Sequence, residues 1–584
     1  MRPAEARLAL LLAVAAGASA CVAALAQGGV APQALDATLD GPTSWNALLG
    51  SRPHVPLGDR AIVVLKAPSL AQGGDPAGEV ALQNRVAARF GLEPQLRFTH
   101  VLDGFSAEVD PGRIPLVESD PAVAGVYPVR AAYPAYVSTG ATNAATIQPP
   151  PGGLDGRGVP VALIAPPGGP SALAAVLAQA APGAAAIPVT VGPRSDQVLA
   201  GLERAVALRA RIAVVGVAEP YAGFPDSPEA RAAAGAAALG TLVVAAAGDD
   251  GFAAGSGDLS AWAAAPDALG VAAADTRPST ALVHVEAPGW AGTVTLAGGP
   301  APSTPLSLPL AAPTRPGLLG FFSGSGASLV AGRAAVVPSA AEVADAVRAG
   351  ARAVVIAGGV LPSGSVSSPV PVVALPLVRG GSVTVAPAGS SRNPGRGRLA
   401  SFSSTGPTTA VAAGVALRIS GGRTLTGTGA AAAVAAGRAA ISAEATPSAS
   451  AADLRASLAP GGAAAGLPPR VPLLGNVHLT PSSFAAADTA PALLGVEAGR
   501  VVATTAGPEI VSLSRLDVEL WRGSRYLGTL ARIRDVLPGR YTFGLTGRSP
   551  AGAPLPPGEY TVVVVAHSVE GGNSSRRMTR FSLR

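Results

Sequence analysis

At 584 residues the chain is too long for one core, because single hydrophobic cores stop growing at roughly 250–300 residues. Its 48% hydrophobic and 4% aromatic content describes an Ala/Val/Gly-rich globular protein and argues against a disordered one. The formal charge of +6 comes from dispersed arginines, with Lys66 the single lysine, and no basic run stands beside aromatics, so a nucleic-acid partner is not expected.

The N-terminus reads as an export signal: Arg2 and Arg7, an apolar run from Leu8 to about Ala16, then small residues. Two exits are open. Ala18-Ser19-Ala20-Cys21 is a loose lipobox, which would lipidate Cys21, the only cysteine. Ala24-Leu25-Ala26 is an A-x-A site with cleavage before Gln27, and it fits better because a lipobox usually carries Leu where Ala18 stands. Residues 1–26 are therefore expected to be a signal peptide, and the mature protein to be secreted or held at the cell envelope. A lipid anchor would be its one link to a membrane, since no later run of about 18 uninterrupted apolar residues follows. A single cysteine allows no internal disulfide.

Residues 27–56 are Gly/Pro/Ala-rich and read as a flexible lead-in. Over 57–137 the pattern predicts strand Ala61–Lys66, helix Glu79–Phe90, strand Leu102–Val109, helix Ile114–Ser119 and strand Val123–Pro128. The phrases V-V-L-K, G-F-S-A and D-P-x-V-x-x-V in that order resemble the inhibitory propeptide of subtilisin-like serine proteases (subtilases), less one strand that the pattern does not locate. Residues 138–155 read as a linker ending in Pro149-Pro150-Pro151-Gly152-Gly153.

Parallel strands alternating with helices over 156–275 predict a doubly covered parallel sheet independently of any family. Gly156-Arg157-Gly158-Val159-Pro160-Val161-Ala162-Leu163-Ile164 resembles the subtilase strand that delivers the Asp orienting the catalytic His, but the Asp position holds Ala165. Ser171–Ala184 resembles the helix and turn that carry the His. Counting back from Ala181-Pro182-Gly183 puts the His position at Gly169, the Asp-to-His connection being cut to a Pro/Gly turn. Ile212–Ala218 takes the place of the strand ending in Ser-Leu-Gly that lines the substrate peptide, with Gly216 for Ser. Val243-Val244-Ala245-Ala246-Ala247-Gly248-Asp249-Asp250-Gly251 resembles the strand supplying the oxyanion-hole Asn, which here is Asp249. An ionised carboxylate cannot donate a hydrogen bond and repels a developing oxyanion.

Residues 286–396 interrupt the pattern and resemble a protease-associated domain inserted in a subtilase. The core, 156–285 and 397–460, resumes with Ala400-Ser401-Phe402-Ser403-Ser404-Thr405-Gly406-Pro407. In Gly427-Thr428-Gly429-Ala430-Ala431-Ala432 the loop resembles the nucleophile turn Gly-Thr-Ser-Met-Ala-Ala, with Gly429 where the nucleophilic Ser would stand. From 467 to 584 short alternating strands with Gly/Pro turns suit an Ig-like β domain.

The expected fold is therefore α/β: a subtilisin-like parallel sheet covered by helices, with an N-terminal α+β propeptide-like domain, an inserted mostly-β domain and a C-terminal β-sandwich. The resemblance implies a serine endopeptidase, yet Ala165, Gly169, Asp249 and Gly429 lack all four chemical groups. Removing the nucleophile or base of such a unit costs about 10⁶ in rate. None of His54, His100, His284, His478 and His567 lies on a core catalytic element, and Thr428 has a hydroxyl but no base to activate it. No catalytic residue, metal ligand or cofactor is expected. The favoured reading is an exported pseudoprotease that binds a protein or peptide or serves as a cell-envelope scaffold, its propeptide-like domain held against the core. The alternative is an active endopeptidase using non-standard residues.

Overall fold

The computed structural model describes residues 56–584 except 111–112, 141–142, 148–152, 220–226, 250–258, 316, 360, 362–363, 365, 377, 379, 405–408, 459–473, 487–490, 499–500, 505–506, 511–512, 537–538, 550–551 and 568–573. The expected signal peptide with Cys21, the lead-in up to residue 55 with His54, the Pro149–Gly152 turn, Asp250-Gly251 and Thr405-Gly406-Pro407 lie outside the described residues.

The first unit runs β1 (Pro56–Leu65), α1 (Pro76–Phe90), β2 (Leu96–Phe98), β3 (Gly104–Glu108), α2 (Ile114–Glu118) and β4 (Val123–Arg130). Its antiparallel sheet has the order β2-β3-β1-β4. β2 is the strand the sequence did not locate, and at three residues it is too short to show a period of two. α1 starts where Asp75 accepts hydrogen bonds from the Ala77 and Gly78 N–H groups behind a first-turn proline, and stops at Gly91 in the left-handed region. Alternation along β1 splits its side chains: Ala61, Val63 and Leu65 pack with Val86 and Phe90 of α1, while Ile62 and Val64 face the rest of the chain.

Next come β5 (Tyr133–Pro134) and β6 (Val137–Gly140), then β7 (Pro160–Ala165), α3 (Gly169–Ala180), β8 (Ala185–Thr190), α4 (Ser195–Ala207), β9 (Ile212–Val215), β10 (Val217–Ala218), α5 (Pro228–Ala238), β11 (Leu242–Ala246), α6 (Ala261–Ala264) and β12 (Leu269–Asp275). The inserted unit follows: β13 (Ser279–Ala287), β14 (Trp290–Thr295), β15 (Leu306–Ala311), β16 (Ala334–Val337), α7 (Val343–Arg348), β17 (Ala353–Ala357), β18 (Val372–Leu375) and β19 (Ser382–Arg392), in the sheet order β14-β13-β19-β15-β16-β17-β18. Its first strand begins at Ser279, so the boundary expected at 286 falls inside that strand. Ala281, Val283 and Val285 point into the inserted unit's own core, which fixes the break earlier.

The chain then returns with β20 (Arg398–Leu399), β21 (Ala410–Ala413), β22 (Leu417–Ile419), β23 (Arg423–Thr426), α8 (Thr428–Ala445) and α9 (Ala451–Leu458). The main sheet has the order β20-β12-β11-β9-β7-β8, with β21 also on β12. Its pairs are parallel except β12 with β20, as the alternating pattern predicts. One face is covered by α3 and the small-residue helix α8. The other is covered by α4 and α5, and Ile62, Val64, Phe98 and Tyr127 of the first unit pack onto those helices in one continuous core. From Leu474 onward a three-stranded and a five-stranded sheet enclose a core that includes Leu494, Val496, Val518, Leu520, Val562 and Phe581, forming a β-sandwich.

The stretch expected to end the first unit and begin a linker at 138 behaves differently. β5 pairs antiparallel with β10 and β6 pairs antiparallel with β23, so residues 133–140 belong to sheets of the main unit. Ala132 and Ala135 are buried there, and their backbone N–H groups donate to the Pro193 and Gly216 carbonyls. No helix among the described residues is long and apolar enough to cross a membrane.

Candidate functional site

The C-terminal ends of β7 and β9, the start of α3 and the start of α8 meet at one point, the crevice where open α/β sheets place their sites. Ala165 is the last residue of β7 and Gly169 the first of α3. The turn between them is so tight that a Cβ on Gly169 would stand 2.7 Å from the Cβ of Ala165. Gly429 is the second residue of α8, and a Cβ there would lie 3.2 Å from the Gly216 carbonyl oxygen. The structure thus brings together the Ala165–Gly169 turn, Gly216 and Gly429, three places far apart in the chain.

What fills the space between them is Tyr136. A Cβ on Gly169 would fall 1.9 Å from the Tyr136 hydroxyl and 3.1 Å from its Cζ, and a Cβ on Gly429 would fall 3.0 Å from its Cδ1. The ring therefore spans from one position to the other. Its hydroxyl pKa is pushed well above the usual phenol value by burial.

The backbone around Tyr136 is fixed on both sides. The Ala132 N–H donates to the Pro193 carbonyl at 2.8 Å, and the Ala135 N–H donates to the Gly216 carbonyl at 3.1 Å. The Ala135 carbonyl accepts from the Gly429 N–H at 2.7 Å, at the first turn of α8. Beyond Tyr136, β6 runs in register with β23 from Val137 opposite Thr426 to Gly140 opposite Arg423. The chain passes through the crevice as an extended strand, and its Ala135–Tyr136 peptide unit lies at the meeting point of the four positions.

Asp249 follows β11 and turns to the N-terminus of α8. Its Oδ1 accepts from the Thr428 N–H and the Thr428 hydroxyl, both at 2.8 Å. The positive end of the helix favours an anion there, which is why a carboxylate is accommodated. Thr428 is fully buried, and its hydroxyl also accepts from the Gly248 N–H at 3.0 Å. Its hydroxyl is thus engaged both as a donor, to Asp249, and as an acceptor, from Gly248.

A sequence model of the subtilase family matches residues 158–460, just over half of the chain. The chain belongs to the subtilase family. Among solved structures, it is similar to a psychrophilic subtilisin-like protease from the Antarctic psychrotroph Pseudoalteromonas sp. AS-11, at 17% identity and a TM-score of 0.26, over 52% of this chain and 88% of that one. No match is found among curated proteins.

In this subtilase the expected positions converge, but none of them brings a nucleophile or a base. The described histidines lie elsewhere. The His100 ring nitrogen is 2.8 Å from Glu203, His284 is beside Glu286 and Thr293, His567 is 3.2 Å from Asp517, and His478 packs on Gly495 in the C-terminal sandwich. Among the described residues no group of three or more His, Cys, Asp and Glu is placed to hold a metal ion. Sequence reasoning missed Tyr136. The available signal was a pair of tyrosines, Tyr133 and Tyr136, in a stretch of otherwise small residues and proline, in a chain with only 7 tyrosines.

Proposed function

We propose that this subtilase is an exported, catalytically inactive homologue, a pseudoprotease whose cleft is held by its own chain and whose folded units serve to bind a protein or peptide partner or to act as a scaffold at the cell envelope. The observation that carries the reading is the Tyr136 ring in the space where catalytic side chains at 169 and 429 would have to sit. Hydrolysis needs an activated nucleophile, a base to take its proton and donors aimed at the oxyanion. Here the nucleophile and base positions are glycines, the base's orienting position is alanine, and the donor position is a carboxylate used as a helix cap. The Ala135–Tyr136 unit lies across these positions with no group to cleave it, so the N-terminal unit stays covalently attached in this reading.

The test is the intact mass of the exported protein from a protease-deficient host, followed by fluorophosphonate labelling of the same sample. One uncut chain beginning near Gln27, or at a lipidated Cys21, with no label is the expected result. A break between about 129 and 155 with label downstream would sink the reading and establish an endopeptidase built from other residues.

A further inference from the structure

We infer that the emptied catalytic centre has become a receptor for an aromatic side chain, and that its ligand is Tyr136 of the chain's own strand. The inference deepens the inactive reading and rests on it. A centre that had merely decayed would need only to lose its reactive groups, and any residue would do. Two positions beside the ring, 169 and 429, are glycine, the residue that places no Cβ against it. With any Cβ at 169 the hydroxyl end of the ring would have to move, since the separation would be 1.9 Å, well inside van der Waals contact. At 429 the fit is less tight but still close, with Cδ1 at 3.0 Å and the Ala135 carbonyl oxygen also at 3.0 Å from a Cβ placed there. Ala165 behind Gly169 and the Leu173 side chain beside Gly216 complete an apolar wall.

The backbone bonds on either side give the ring its aim. A residue after Ala135, held by the Gly429 and Gly216 hydrogen bonds, must point its side chain into the centre before the strand continues along β23. The chemistry recognised is therefore a phenolic ring carried on an extended strand behind a small residue. Its consequence is mechanical: the ring pins the segment that ties the N-terminal unit to the main sheet.

Thermal unfolding of full-length Tyr136→Ala, with and without p-cresol as a free stand-in for the side chain, tests this. The variant is expected to lose about 5 °C or more in Tm, as large-to-small changes at packed aromatics do. p-Cresol should raise the Tm of the variant saturably while leaving the wild-type protein, whose pocket is filled, unmoved. A Tm equal to wild type, or an equal p-cresol shift in both proteins, overturns the inference. Should Tyr136→Ala not accumulate, Tyr136→Phe and Tyr136→Leu carry the comparison: Phe is expected to stay near wild type and Leu to fall, and equal Tm values overturn it. Fluorophosphonate labelling of the same variants separates the two readings. Label appearing in Tyr136→Ala defeats inactivity, whereas ring-independent stability without label defeats only the receptor.

Discussion

At the scale of single residues, the centre is decided by which atoms occupy the space between residues 169 and 429. In a working acyl-transfer site the N–H at the first turn of a helix faces an oxyanion that forms and collapses. Here the Gly429 N–H holds the resting Ala135 carbonyl at 2.7 Å, and Asp249 spends its carboxylate on Thr428. On the proposed inactive reading, putting back single reagents does not rebuild such a unit, because its members act together. The double substitution Gly169→His with Gly429→Ser is accordingly expected to give no fluorophosphonate labelling. It should also lower stability by about 1–3 kcal/mol, the usual cost of overpacking. An imidazole at 169 would meet the Tyr136 ring, and Ala165 offers it no carboxylate. Labelling together with unchanged thermal stability would show that the space is not filled as described.

At the scale of elements, the docking of the first unit depends on one close approach that hydrophobic patterning cannot reveal. Its sheet lies on α4 and α5, and Gly235 of α5 faces the loop before β3 so closely that a Cβ would be 1.9 Å from the Val101 carbonyl oxygen. In an isolated helix Gly→Ala gains about 1 kcal/mol. Here Gly235→Ala is expected to lose net stability, since the obstacle is backbone and overpacking costs about 1–3 kcal/mol. Faster tryptic cleavage after Arg97, on the adjacent β2, would mark the loosened junction, and an unchanged rate together with a raised Tm would refute it. The sequence made the regular elements legible because long runs of buried Val and Ala between helices carry a clear period, as in β7, β9 and β11. It let Ala165, Gly169 and Gly429 be picked out because those residues sit in ordered motifs. It could not show Gly235 or Tyr136, whose roles exist only when distant segments meet, nor the seat of β2, too short for any period.

At the scale of the whole molecule, the junction between the N-terminal unit and the main sheet is also an electrostatic device. Glu203 on α4 accepts the backbone N–H groups of His100 and Val101 and lies 2.8 Å from the His100 ring, tying the two units together. Nearby, Glu79 on α1 is 4% exposed and neither of its carboxyl oxygens has a hydrogen-bond partner. Burial first, then the charges of Asp103, Glu203 and Asp75, push its pKa from 4.5 up to about 7. Burial likewise raises Asp103 from 3.8 to about 6, against the hydrogen bond from Gln83 that lowers it. A carboxyl whose folded pKa is raised binds its proton more tightly when folded. Its contribution is fully present below the unfolded value and is lost as pH climbs through the folded one. For these two groups that window runs from about pH 4 to about pH 7. The N-terminal unit should therefore unfold or detach at a higher temperature at pH 5 than at pH 8. Glu79→Gln, which cannot ionise, should flatten that dependence and raise the Tm at pH 8 toward its value in acid. Calorimetric scans of both proteins across this range decide it: parallel pH profiles would show that the buried carboxyl does not govern the junction, and a profile flattened by the single amide would show that it does.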